Sequence, residues 1–103
     1  MSIGSVPGRH LRFNPLAEAE LFEAARWYDE RSPGLGAAFV DAVRDATNLV
    51  LEAPQRWRLI RGTRRYLMGR FPFAVVYRET TDEQVEVVAI AHLKRRHRYW
   101  AKR

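Results

Sequence analysis

The apolar pattern of this chain changes period at Ala53-Pro54, and only a fold with one helical layer and one sheet layer accommodates both halves. Before the break, Asn14-Pro15 reads as an N-cap followed by proline at the first helical position. Ala17, Leu21, Ala24 and Tyr28 then draw one stripe at helical spacing, on a helix expected to run to about Arg31. Ser32-Pro33-Gly34 interrupts it. Leu35, Phe39, Val43, Ala46 and Val50 rebuild a stripe that Pro54 ends, so the two helices are expected to lie antiparallel as a hairpin.

After the break, residues 57–61, 65–71, 73–79 and 84–92 are rich in β-branched and aromatic side chains and read as strands. Arg61-Gly62-Thr63 and Thr80-Thr81-Asp82 are turn-forming segments between them. Pro72 donates no hydrogen bond and is expected at a strand boundary or bulge. Val85–Ala91 is apolar on both faces for most of its length, which suits a central strand. Residues 9–13 alternate, with Leu11 and Phe13 on one side, and predict a short strand ahead of the hairpin. Leu93, His97 and Trp100 recur at i, i+4 and i+7, which predicts a short basic helix after the sheet. The expected class is therefore α+β: a helical hairpin packed on a mainly antiparallel sheet of three or four strands. Residues 1–8 are expected to be a flexible leader and residues 9–103 a single domain, because 103 residues supply one core and not two.

Charge is segregated at the same break. Residues 1–53 carry five arginines against eight acidic residues, a net of −3, whereas residues 54–103 carry thirteen basic against four acidic, a net of +9. A basic half of that size concentrates anions at its surface, so nucleic acid or an acidic protein segment is the expected partner. The absence of cysteine excludes a disulfide framework, a thiolate zinc site and a cysteine nucleophile. His92 and His97 are five apart and fall on different faces of a helix, so neither a metal nor a cofactor is expected. No apolar run is long enough to span a membrane and no secretory signal opens the chain, which places the protein in the cytoplasm as an expectation.

Several stretches carry a family likeness: Glu23-Ala-Ala-Arg-Trp-Tyr28, Pro33-Gly-Leu-Gly-Ala-Ala-Phe39, Phe71-Pro-Phe-Ala-Val-Val-Tyr-Arg78, Val87-Val-Ala-Ile-Ala-His92, then Arg96 and Tyr99-Trp100. In that order they resemble the RelE/ParE superfamily, the toxins of type II toxin–antitoxin pairs, often labelled plasmid stabilisation proteins. The resemblance implies a growth-inhibiting toxin held inactive by a cognate antitoxin in a hetero-oligomeric complex. ParE-like members poison DNA gyrase by binding it, whereas RelE-like members are ribosome-dependent mRNA endoribonucleases.

Metal-free RNA cleavage needs a base, an acid and cations around the phosphorane. Arg61, Arg64, Arg65 and Arg78 are candidate cations, and His92 or Tyr99 are candidate proton carriers. The resemblance implies Arg65, Arg78, His92 and Tyr99 as the positions that could correspond to the catalytic set of the ribonuclease members, only if this chain is one. Against that reading, Glu79, Asp82, Glu83 and Glu86 flank a hairpin turn rather than offering a base, and no lysine precedes Lys94. The ending with His92, Arg95, Arg96, Tyr99 and Trp100 is closer to the ParE-like subgroup. For a binding protein, Arg61, Arg64, Arg95, Arg96 and Arg98 are the expected contacts to target or nucleic acid. A plain basic nucleic-acid-binding module remains the alternative that charge alone supports.

Overall fold

The computed structural model describes residues 5–6, 9–81 and 84–103. Along the chain run β1 (Ser5–Val6), β2 (Arg9–Phe13), α1 (Pro15–Arg31), α2 (Leu35–Glu52), a 3-10 turn (Pro54–Arg56), β3 (Arg64–Leu67), β4 (Phe73–Thr81) and β5 (Gln84–His92). The helical hairpin covers one face of a sheet ordered β1-β2-β5-β4-β3, which is antiparallel except where β2 runs parallel to β5. Of the expected leader, Ser5–Val6 pair with β2, and residues 1–4 and 7–8 lie outside the described residues. Asp82 and Glu83, in the expected turn between β4 and β5, lie outside them as well.

Both helices start where their local chemistry dictates. The Asn14 side chain accepts from the Leu16 amide at 2.9 Å, with Pro15 opening α1. α2 starts after Gly34, whose φ of +90° is left-handed backbone that a side chain would strain. The Asp29 carboxylate accepts from the amides of Gly34 at 2.9 Å and Gly36 at 3.2 Å, tying the second helix to the end of the first. Between the helices, Gly36 faces Ala25 so closely that an added Cβ would stand 2.4 Å from its carbonyl oxygen. The predicted stripes face the core: Ala17, Leu21, Phe39, Val43, Ala46 and Val50 are buried, and Ala24, Tyr28 and Leu35 pack at its margin. Phe39 meets Tyr28, Phe71 and Phe73 with ring centroids about 5 Å apart.

The sheet has two apolar faces for a specific reason. Leu11, Phe13, Val75, Tyr77, Val85, Val87 and Ile90 belong to the core under the helices. Val76, Val88, Ala89 and Ala91 form a second cluster, in which Trp100 is buried with them. As expected, β5 is central, flanked by β2 and β4. Its register against β4 slips between the pairs Val76–Ala89 and Tyr77–Val87, leaving Val88 without an opposite residue.

Three expectations differ from the structure. Residues 57–61 form no strand: only an Ile60–Thr63 bridge forms, around left-handed Arg61 and Gly62, and Leu59 and Ile60 stay exposed with no strand beside them. The strand expected at 65–71 is Arg64–Leu67, after which the chain turns back through Pro72. The segment after His92 is not a helix but a run of turns closed by i→i+3 bonds, such as Arg95 to His92 and Arg103 to Trp100. Arg98 at φ +57° breaks any helical path, and Leu93, one of the three residues at helical spacing, is 49% exposed.

Candidate functional site

Where β2 ends at Phe13, the Asn14 amide makes a final bond to the Val87 carbonyl at 2.9 Å, and beyond it β5 has no strand neighbour on that side among the described residues. The slip at Val88 turns its carbonyl and the Ile90 amide toward this open edge, where side chains replace the missing strand. Glu20, buried on α1, accepts from Ile90 N at 3.0 Å, Tyr99 Oη at 2.7 Å, Arg95 at 3.2 Å and the fork of Arg103 at 2.9 and 3.0 Å. Arg103 also donates to the Val88 carbonyl at 3.0 Å. Such a carboxylate is stable out of water because every lone-pair direction is met by a charged or polar donor.

Two consequences are electrostatic. Burial and then the hydrogen bond to Glu20 raise the Tyr99 phenol above its ordinary range, so its proton is held tightly near neutrality. The bond to Glu20 likewise raises the pKa of Arg103, outweighing its partial burial. Arg95 and Arg103 stand over the Tyr99 ring at 3.9 and 5.1 Å, adding cation–π attraction to the cluster.

A second buried carboxylate organises the opposite face of the sheet. Glu86 accepts from Arg78 at 2.7 Å and Arg12 at 3.3 Å. Arg64 pairs with Glu79 at 3.0 Å and donates to the Trp57 carbonyl at 2.6 Å, holding the 57–63 loop against β4.

The sequence candidates therefore distribute as follows. Tyr99 and Arg95 meet at Glu20, Arg78 is paired with Glu86, and Arg64 with Glu79. Arg61 and Arg96 are exposed, and Arg98 is half-buried in its left-handed turn. Arg65 is exposed on β3, opposite Val76. His92 lies against Phe73 at 5.0 Å between ring centroids, and its Nδ1 accepts from the Lys94 amide at 3.0 Å, leaving Nε2 as the nitrogen open to other partners. Arg65 and His92 border one small cavity of about 120 Å³, but Arg78 and Tyr99 do not line it. The four ribonuclease candidates thus do not gather around a single point.

Glu20 escaped the sequence reading and Glu86 was read only as flanking a hairpin turn, although each left a signal. Glu20 falls inside the apolar stripe of α1, three after Ala17 and four before Ala24, and Glu86 interrupts the apolar run of β5. A carboxylate in a buried stripe implies cations converging on it. Beside Glu20 opens an apolar groove of about 510 Å³ walled by Ala24, Trp27, Tyr28, Phe73, Ile90 and His92 among others, with Trp27 half-exposed. A second cavity, of about 460 Å³, lies between the 57–63 loop and the tail.

A helical hairpin on a mixed sheet, its basic tail fixed across the sheet edge, defines a small toxin-type α+β scaffold of the RelE/ParE superfamily. The chain belongs to the ParE toxin family of type II toxin–antitoxin systems: the family model described as "ParE toxin of type II toxin-antitoxin system, parDE" matches residues 11–97. Among solved structures it is similar to a chain of the "Chromosomal ParDE TA system from P. aeruginosa", with TM-score 0.72 and 16% identity over 82% of this chain and 95% of that one. At that identity the likeness is one of fold. No curated protein matches by sequence. Among the described residues, no helix is long and apolar enough to cross a membrane.

Proposed function

We propose that this chain is the toxin of its pair, that it arrests growth by binding DNA gyrase in the cytoplasm, and that a cognate antitoxin neutralises it. The observation that favours binding over RNA cleavage is the Tyr99 hydroxyl, which donates to buried Glu20 at 2.7 Å while its proton is held above the ordinary phenol range. A phenol so engaged is a poor base near neutral pH. Arg78 and Arg95 are likewise committed to internal carboxylates, which suits a rigid recognition surface better than a set of cations waiting on a phosphorane. The apolar groove beside Trp27 and Phe73 offers the antitoxin a place for apolar side chains, and the basic half supplies complementary charge for an acidic segment.

Inducing the chain alone in bacteria tests the toxin reading, with arrested growth and an induced DNA-damage response expected. Purified protein should stop gyrase from supercoiling relaxed plasmid, and co-expression of the adjacent antitoxin should restore growth. Growth arrest with new mRNA 5′ ends by primer extension, and with gyrase unaffected, would instead establish the ribonuclease reading.

A further inference from the structure

We infer that the face of the sheet turned away from the helices binds duplex DNA through its phosphates. This binding goes beyond the gyrase reading and does not depend on it.

The charge break at Ala53-Pro54 becomes, in the fold, a division between two faces. All eight acidic residues of the first half lie on the helical hairpin, five on α1 and three on α2, and the hairpin covers the sheet face formed by Leu11, Phe13, Val75, Tyr77, Val85 and Val87. Alternation along each strand turns the residues between them the other way. Arg12 on β2, Arg78 on β4 and Arg65 on β3 therefore share the opposite face, where Arg65 stands opposite Val76 of the Trp100 cluster. The 57–63 loop adds Arg58 and the tail adds Arg98, both bordering one cavity with Arg65. Among the described residues these five arginines meet one carboxylate, Glu86, which engages Arg12 and Arg78. The Glu86 side chain is 7% exposed against 65% for Arg12 and 37% for Arg78, so what reaches solvent is guanidinium. Arg58, Arg65 and Arg98 form no salt bridge among the described residues.

The spread of these cations selects the anion. Three strand spacings separate β2 from β3, which sets Arg12 and Arg65 roughly 14 Å apart across the sheet. The major groove of B-DNA is about 12 Å wide, so cations at that separation reach phosphates on both of its sides. A flexible acidic peptide would lose about 1–2 kcal/mol per residue in being ordered over such a width, whereas a duplex presents its charges on a frame already rigid. Single strands are gripped by stacking their bases on exposed aromatic rings, and this face has none. Of the Phe, Tyr and Trp side chains only Phe22 and Trp27 are exposed, and both belong to α1 on the acidic side. Trp100 is buried, and Trp57 packs edge-on against Tyr66 at 5.0 Å. The acidic hairpin behind the sheet repels the same polyanion, which orients the chain with its arginines toward the duplex.

The test is fluorescence anisotropy of a labelled twenty-base-pair duplex titrated with the full chain at several KCl concentrations. Binding should be saturable at about 50 mM KCl, and the logarithm of the association constant should fall with the logarithm of salt at a slope of roughly −4, about 0.9 for each phosphate contacted. Arg58→Gln with Arg65→Gln should weaken binding at least tenfold and make the slope shallower by about 2. Arg26→Gln with Arg44→Gln removes the same charge from the helices and should change affinity less than twofold, with melting curves showing both double variants folded. Equal losses in the two double variants overturn the inference, as does an absence of duplex binding at about 50 mM KCl. It is also overturned if a twenty-residue oligothymidylate or a twelve-residue polyglutamate displaces the labelled duplex better than unlabelled duplex does. Because binding is read on this chain alone, a protein that binds the duplex yet leaves gyrase unaffected overturns the gyrase reading and not this one.

Discussion

Arg103 places its guanidinium fork on the Glu20 carboxylate, at 2.9 and 3.0 Å, across 83 positions of sequence. The pair sits where β5 has lost its β2 neighbour, so it completes the sheet edge and fastens the tail in one contact. Both side chains are nearly out of water, and removing one partner strands the other's charge. Glu20→Gln is expected to lower stability by about 3 kcal/mol, read as a reduced urea midpoint with little change in slope. A Glu20→Gln, Arg103→Met double mutant should recover part of that loss, with a coupling energy of about 1–3 kcal/mol. Strict additivity would mean that the fork contributes no coupling of its own.

Tyr77 is fully buried and donates to the Pro54 carbonyl, and burial pushes its phenol up to about 12 from 10.0, Arg64 opposing and Glu79 adding to the rise. A folded-state value above the unfolded one means that the folded protein holds the proton more tightly. The corresponding stability is intact below pH 10 and is lost as pH climbs toward 12. Denaturation midpoints should therefore fall between these pH values, by about 2 kcal/mol after allowance for solvent screening, with Tyr99 adding in the same direction. Tyr77→Phe should flatten that decline while costing about 1–2 kcal/mol at neutral pH, because the Pro54 carbonyl loses its donor. An equally steep decline in the variant would remove Tyr77 as its source.

Gly36→Ala should force α1 and α2 apart. The new methyl would meet the Ala25 carbonyl at 2.4 Å and the Asp29 Cβ at 3.0 Å, and neither helix backbone yields without disturbing the stripe beneath. A loss of about 2 kcal/mol is expected, on the order of 10 °C in Tm for a domain of this size. Gly69→Ala is the control, since a Cβ there meets nothing within 4 Å.

Much of this architecture was legible in local chemistry. Asn14-Pro15 announced the start of α1, the stripes through Leu21 and Phe39 found the core, and the two-sided apolar run of Val85–Ala91 located the central strand. The tail misled because Leu93, His97 and Trp100 do stand at helical spacing, yet its geometry is set by contacts that local periodicity cannot express. Glu20 captures Tyr99, Arg95 and Arg103 from a distant helix, and Arg98 adopts left-handed backbone that arginine rarely takes alone. Arginines that looked equivalent in sequence differ in the same way: what separates them is which carboxylate lies opposite, a property of strand register.

That register yields the sharpest separation of roles, between Arg65 and Arg78. Arg78 stands opposite Glu86 across the β4–β5 ladder and donates to it at 2.7 Å, so Arg78 and Arg12 are the cations that meet this buried carboxylate. Arg65 stands opposite Val76, is exposed, and has no hydrogen-bonding side chain across the ladder. Arg78→Gln should therefore cost about 2 kcal/mol of stability, because a buried carboxylate loses its closest cation. Arg65→Gln should leave stability within about 0.5 kcal/mol, as exposed substitutions generally do. In growth arrest and gyrase inhibition the order should invert: Arg65→Gln weakens the toxin at unchanged melting temperature, whereas any loss in Arg78→Gln follows the fraction unfolded. Melting curves for both variants, set beside supercoiling assays at a temperature where each is folded, check the pair. A stable Arg78 variant with abolished activity would move that arginine from scaffold to recognition surface.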